Sequence, residues 1–153
     1  MRLSITLSLA AAFAAGIAVS PLAQQLMPSA QAQAAPLAPM VIDIAAIKEA
    51  DLPTTPNPDL RSKGLLATEQ GTIAVQMGNV AKHFHSDANE IQYIVEGTGT
   101  GWLGDKKIDL RPGLLVIIPK GTHHAGTEQA TGRFKAIAIK LPPQAATDTT
   151  FVK

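Results

Sequence analysis

From Arg61 to Leu141 the chain alternates short apolar runs with turn-forming residues. The runs are "GLLATEQ", "GTIAVQMG", "KHFH", "EIQYIV", "GTGWLG", "KKIDL", "GLLVIIP", "HHAGTE" and "RFKAIAIKL". Breaks fall at Gln70–Gly71, Ser86–Asn89, Gly97, Gly104–Asp105, Arg111–Gly113, Pro119–Gly121 and Thr131–Gly132. Short strands at such regular spacing predict an all-β sandwich or barrel, and no long segment has helical periodicity. Gly104–Asp105 reads as the turn of a hairpin. Upstream, "VIDIAAIKEADL" predicts a short strand and then a helical turn or two between Ala45 and Ala50. "PTTPNPDL" is a loop, because three prolines in six residues deny the chain a regular ladder. The tail after Leu141 reads as loose, with Phe151-Val152 as its one strand-like pair.

The first residues stand apart from this rhythm. Arg2 is followed by a largely apolar run without charge from Leu3 to Val19, and Ala30–Ala32 supplies an Ala-x-Ala. That is the pattern of a secretory signal peptide over residues 1–32, cleaved after Ala32. The competing reading is an uncleaved anchor, since the run is only just shorter than a minimal span. Cleavage would leave a chain of about 120 residues with a formal charge near zero, periplasmic or secreted and with no stable membrane insertion. Residues 33–60 form a lead and loop, 61–141 the β domain and 142–153 the tail.

At 153 residues the chain suffices for one domain. With 46% hydrophobic and 16% charged residues, a packed core is expected. Basic residues do not cluster and the net charge is +1, so nucleic acid is not an expected partner. There is no cysteine, which removes disulfides, thiolate metal sites and cysteine nucleophiles.

The chemistry lies in "KHFHSDANEIQYIVEG", Lys82 to Gly97. On a strand His83 and His85 project to the same face, about 6.5–7 Å apart, and Phe84 projects to the other. "SDAN" is turn-forming and returns the chain as a neighbouring strand that Glu90 opens. Two imidazoles and a carboxylate can then share one metal ion, with a further ligand from the remaining histidines, His123 and His124. These are adjacent, so on a strand only one of them points inward. Three imidazoles and a carboxylate suit Fe, Mn, Cu, Zn or Ni. One carboxylate leaves a divalent site net positive, which favours anionic or enolisable oxygen ligands.

These residues resemble the cupin superfamily of small β-barrels. The first cupin motif is matched by Gly78, "NVAK", His83-Phe84-His85, "SDAN", Glu90, "IQYIVE" and Gly97. The gap after Gly78 is four residues where the family usually has five. The second is matched by Gly113, "LLVII", Pro119-Lys120-Gly121, Thr122-His123 and then His124; Glu128 stands where the family often has Asn. Fifteen residues, 98 to 112, separate the motifs. The resemblance implies an all-β, single-domain cupin jelly-roll β-barrel (double-stranded β-helix) with a short N-terminal helical turn. It implies His83, His85, Glu90 and His124 as ligands of one divalent metal ion, and so selects His124 over His123. Gln92 and Ile94 share inward parity with Glu90, Tyr93 has outward parity, Trp102 either lines the barrel or is core, and His123 reads as an exposed strand residue, or else as one beside the ligands or at the barrel mouth. Pocket shape would depend on residues 51–63 and 141–153.

Three function classes follow from the resemblance. The first is a metal-dependent, dioxygenase-like oxidoreductase acting on a small anionic or enolisable molecule, with Glu90 the best catalytic candidate. The second is a non-catalytic module that binds a small molecule or sugar. The third is a non-redox isomerase or lyase. A homodimer is expected, because a small chain gains by burying more surface, with residues 61–77 as candidate edge. Metal identity, substrate and catalysis itself are not legible in the sequence.

Overall fold

A computed structural model of the chain describes residues 37–152, and of residues 125–131 the backbone only. The expected signal peptide lies outside the described residues. Among those residues no helix is long and apolar enough to cross a membrane.

The strands are β1 (Leu60–Ala67), β2 (Thr72–Gly78), β3 (His83–Phe84), β4 (Asn89–Leu103), β5 (Lys106–Leu110), β6 (Leu115–Ile118), β7 (His124–Leu141) and β8 (Thr150–Phe151). They form one sheet in the order β1-β2-β7-β3-β8, with β4 branching from β7 to pair β5 and β6 as well. All described pairings are antiparallel. The all-β expectation holds, and so do the hairpin turn at Gly104–Asp105 and the strands on either side of each remaining break, with two exceptions. At Gly97 and at Thr131–Gly132 the chain does not turn. β4 and β7 run through those glycines and absorb them as register shifts in their mutual ladder. Gly97 adopts φ +88°, and a Cβ there would come within 2.8 Å of the Arg133 carbonyl oxygen. This glycine therefore permits close backbone approach inside a bent strand rather than ending it.

Period-two alternation decides what faces inward. On β4, Glu90, Gln92 and Ile94 are paired with Lys140, Ala138 and Ala136 of β7. Ile94, Phe134 and Ala136 form an apolar plug with Leu110 and Leu114 against it. The barrel is thus oily at one end and polar at the Glu90–Lys140 end. The opposite face of β2 buries Val75 and Met77 under Leu52, with Ile44, Ile47 and Leu65 packed around them. The N-terminal lead is therefore partly a lid on the outside of the sheet.

Two local expectations are corrected. "VIDI" forms no strand; Asp43 Oδ1 accepts the Ala46 N–H at 3.2 Å and the chain turns there instead. The expected helical segment is a single 3₁₀ turn, Glu49–Asp51. The tail is not loose either, because β8 pairs with β3, Phe151 opposite His83 and Thr150 opposite Phe84.

Candidate metal centre

His83 lies on β3, His85 just beyond it, Glu90 is the second residue of β4, and His124 opens β7 directly opposite His83. All four side chains are buried, and their ligand atoms lie within 4.8 Å of one another. The two sequence motifs are bonded to each other: the Gly121 N–H donates to the His85 carbonyl at 2.6 Å, and the Lys120 N–H to Asn89 Oδ1 at 3.1 Å. The Pro119–Gly121 turn is held by these bonds against the turn that separates His85 from Glu90.

Each imidazole is oriented by a backbone carbonyl. His83 Nδ1 donates to Ala81 O at 2.9 Å, His124 Nδ1 to Thr122 O at 2.9 Å, and His85 Nδ1 to Asp148 O at 2.6 Å. With the proton on Nδ1, each neutral ring turns an Nε2 lone pair to the centre, the arrangement found around metals. His124 Nε2 and His85 Nε2 then lie 3.0 Å and 3.1 Å from Glu90 Oε2, acceptor against acceptor. A cation between them resolves that repulsion, and this donor set fits a divalent ion of the borderline class. Burial is the largest influence on His83, with His124 beside it next, and together they lower its pKa to about 4. The ring is neutral and available as a ligand at physiological pH. Burial pushes the Glu90 carboxyl up, but the charge of Lys140 beside it opposes this and helps hold Glu90 well below the usual carboxylate range.

A cavity of about 330 Å³ opens beside this cluster. Its walls include Thr55, Asn57, Ser62, Gln76, Gln92, Gln144 and Thr149, so hydroxyls and amides predominate over charge. Residues 51–63 and 141–153 both contribute, as expected from the sequence. Gln92 Nε2 donates to Glu90 Oε1 at 2.9 Å. Ile94 shares its parity but belongs to the apolar plug rather than the cavity. Tyr93 is 43% exposed on the outer face. His123 is not the exposed strand residue expected: it is half-buried just before β7 and stacks on Phe84, with ring centroids 5.2 Å apart, and so turns away from the centre as Phe84 does. Trp102 is half-buried with Lys82 Nζ 5.1 Å above its ring.

Three contributors were not legible as such. Lys140 is buried, with Nζ 2.6 Å from Glu90 Oε2. Burial lowers its pKa, against the opposing pull of Glu90 and Asp148. Its sequence signal was its parity: in "RFKAIAIKL" it falls on the same face as Ala136 and Ala138, a lysine on an otherwise apolar inward stripe. Asp148 and Gln144 lie in the tail, where no periodicity marked them. Asp148 Oδ1 accepts the N–H groups of Ser86 and Asp87 at 2.7 and 2.9 Å, and Oδ2 that of Ala88 at 3.1 Å.

Residues 71–140 match the family model described as Cupin domain. The fold is the cupin fold. Solved structures agree with it. A conserved protein with a double-stranded β-helix domain from Klebsiella pneumoniae is 14% identical, with a TM-score of 0.57, and the match covers 70% of this chain and 96% of that one. KdgF from Halomonas sp. is 19% identical, with a TM-score of 0.51 and coverage of 58% and 85%. Pac13 from Streptomyces, described as a nucleoside dehydratase and solved with uridine, is 13% identical, with a TM-score of 0.55 and coverage of 69% and 88%. At these identities the likeness of the cupin barrel is one of fold. No curated protein matches the chain.

Proposed function

We propose that this chain is an exported metal-binding cupin that holds one divalent ion through His83, His85, Glu90 and His124 and acts on a small anionic or enolisable molecule, as an oxygenase-type oxidoreductase. The observation that carries this reading is the convergence of three carbonyl-anchored imidazoles and one carboxylate on a single buried point. When bound, such an ion would supply Lewis acidity and, if redox-active, a path for electrons. The chain's own residues would do the rest. Gln92 fixes Glu90, the polar walls orient the substrate, and the Ile94–Phe134 plug closes the barrel beneath it. Glu90 would be the group to pass a proton.

One observation favours a second reading, a non-redox isomerase or lyase. Lys140 sets an ammonium against Glu90, so an acid and a base stand side by side at the cavity wall. The fold likeness to a nucleoside dehydratase is compatible with that chemistry. A homodimer, periplasmic or secreted, completes the proposal.

The deciding experiment is elemental mass spectrometry on untagged protein purified from its own host, beside His124→Ala. One Fe, Cu or Mn per chain, lost in the variant, supports the oxygenase, and oxygen uptake with candidate substrates would follow. One Zn or Ni supports Lewis-acid chemistry. No stoichiometric metal, even after reconstitution, overturns the four-ligand reading.

A further inference from the structure

Lys140 reaches into the ligand set. Its Nζ is 2.5 Å from His85 Nε2 and 2.6 Å from Glu90 Oε2, two of the four ligand atoms. The Asp148 carbonyl takes the His85 Nδ1 proton, which leaves Nε2 one lone pair. That pair can accept from an ammonium or be donated to a metal, but not to both. The charges conflict as well, since a divalent ion at hydrogen-bond distance from an ammonium is repelled strongly in a buried site. The backbone of Lys140 cannot retreat, because it is paired with Thr72 on one side and Glu90 on the other. The side chain can move, because Lys140 also lines the cavity. Among the described residues it is the only lysine or arginine on that wall, and Glu90 is the only carboxylate.

We propose that Lys140 is a displaceable cation: it occupies the ligand set when no metal is bound, and metal entry expels its ammonium into the cavity, where it anchors a carboxylate or phosphate group of the bound molecule. The inference rests on the four-ligand metal reading above and gives it a substrate class. Glu90 and Lys140 cancel in charge before metal arrives, so a divalent ion leaves the cavity net positive. An anionic group on the ligand then meets both the ion and the freed ammonium. The neutral walls of Asn57, Gln76 and Gln144 are suited to its hydroxyl or carbonyl groups.

The test is calorimetric titration of the metal-free chain with Ni²⁺, for wild type, Lys140→Met and Lys140→Gln. Both variants are expected to bind Ni²⁺ at least tenfold more tightly than wild type. Equal or weaker binding in folded variants overturns the inference while leaving the metal site intact. Absence of binding in all three proteins overturns both. A second measurement uses wild type alone and does not depend on how the variants fold. Lys140 is methylated reductively with formaldehyde and dimethylamine–borane as hydride donor and quantified by mass spectrometry, with exposed Lys106 as reference. Labelling of Lys140 should rise severalfold on Ni²⁺ addition, and acetate or inorganic phosphate should slow it again, whichever protects better naming the anion. Unchanged labelling with Ni²⁺, or protection by neither anion, overturns the proposal.

Discussion

Asp148 shows how much one side chain outside the ligand set can decide. Its carboxylate caps the Ser86–Ala88 turn, and its carbonyl sets the His85 proton. Asp148→Ala should destabilise the chain by about 3 kcal/mol, since several hydrogen bonds to a charged acceptor are lost together. Burial raises this carboxyl's pKa, but the N–H groups of Asp87, Ala88 and Ser86 lower it more, so the folded value lies below the unfolded one. Its stabilisation is therefore complete above the ordinary carboxylate range and lost as pH falls through the lower, folded value. The variant's penalty in urea unfolding should shrink correspondingly at low pH. His83 gives a second pH dependence. Its folded pKa of about 4 lies below the ordinary histidine value of 6.5. Below the higher value the unfolded chain takes up a proton that the folded one refuses. The metal-free protein should thus lose a few kcal/mol between pH 6.5 and 4, and His83→Gln should flatten that slope. A slope unchanged in the variant would assign it to other groups.

At the scale of elements, the junction between β1 and β2 is the most demanding. Gly78 closes β2 opposite Leu60 with φ +117°, and a Cβ there would lie 1.9 Å from the Asp59 carbonyl oxygen. That oxygen accepts the Asn79 N–H at 3.0 Å, so it cannot move away cheaply. The one-residue shortening of the motif after Gly78 has therefore not removed the need for glycine. Gly78→Ala should cost at least about 2 kcal/mol from backbone strain alone. Gly64→Ala on β1 is the control: nothing lies within 4 Å of its Cβ position, and the change should be close to neutral. Equal penalties by thermal unfolding would mean that the Gly78 contact is not limiting. The lead adds to the same region, since Arg133 on β7 pairs with Glu49 at 2.8 Å and Asp59 at 2.6 Å. These pairs are partly exposed and contribute modestly.

For the whole molecule, ligand binding and stability are one equilibrium. The four ligands come from three strands and the turn after β3, and no short segment of the chain contains them all. An ion held there binds the folded chain and not the unfolded one. At a free concentration about a hundredfold above Kd it should add about 2.7 kcal/mol, which for a domain of this size raises Tm by several degrees. Differential scanning fluorimetry with Mn²⁺, Ni²⁺ or Zn²⁺ against EDTA should show that rise in wild type and lose it in His124→Ala. An equal rise in the variant would place the ion elsewhere.

The sequence by itself determined the strand rhythm, the two motifs and three members of the buried cluster, His83, His85 and Glu90, because period-two alternation and fixed loop lengths are local properties of the chain. It also marked Phe84 and Tyr93 as outward-facing, for the same reason. Residue types alone left His123 and His124 undecided, since adjacent strand residues differ only in face; resemblance selected His124, and the packing of His123 on Phe84 agrees with it. The tertiary structure alone decided what surrounds the cluster. Asp148 and Gln144 reach it from the tail because β8 pairs with β3, more than sixty residues away in the chain. Lys140 reaches it because β7 lies beside β4 in a register that sets it opposite Glu90. Long-range register of this kind leaves no mark in local composition, and here it sets the charge and the shape of the cavity.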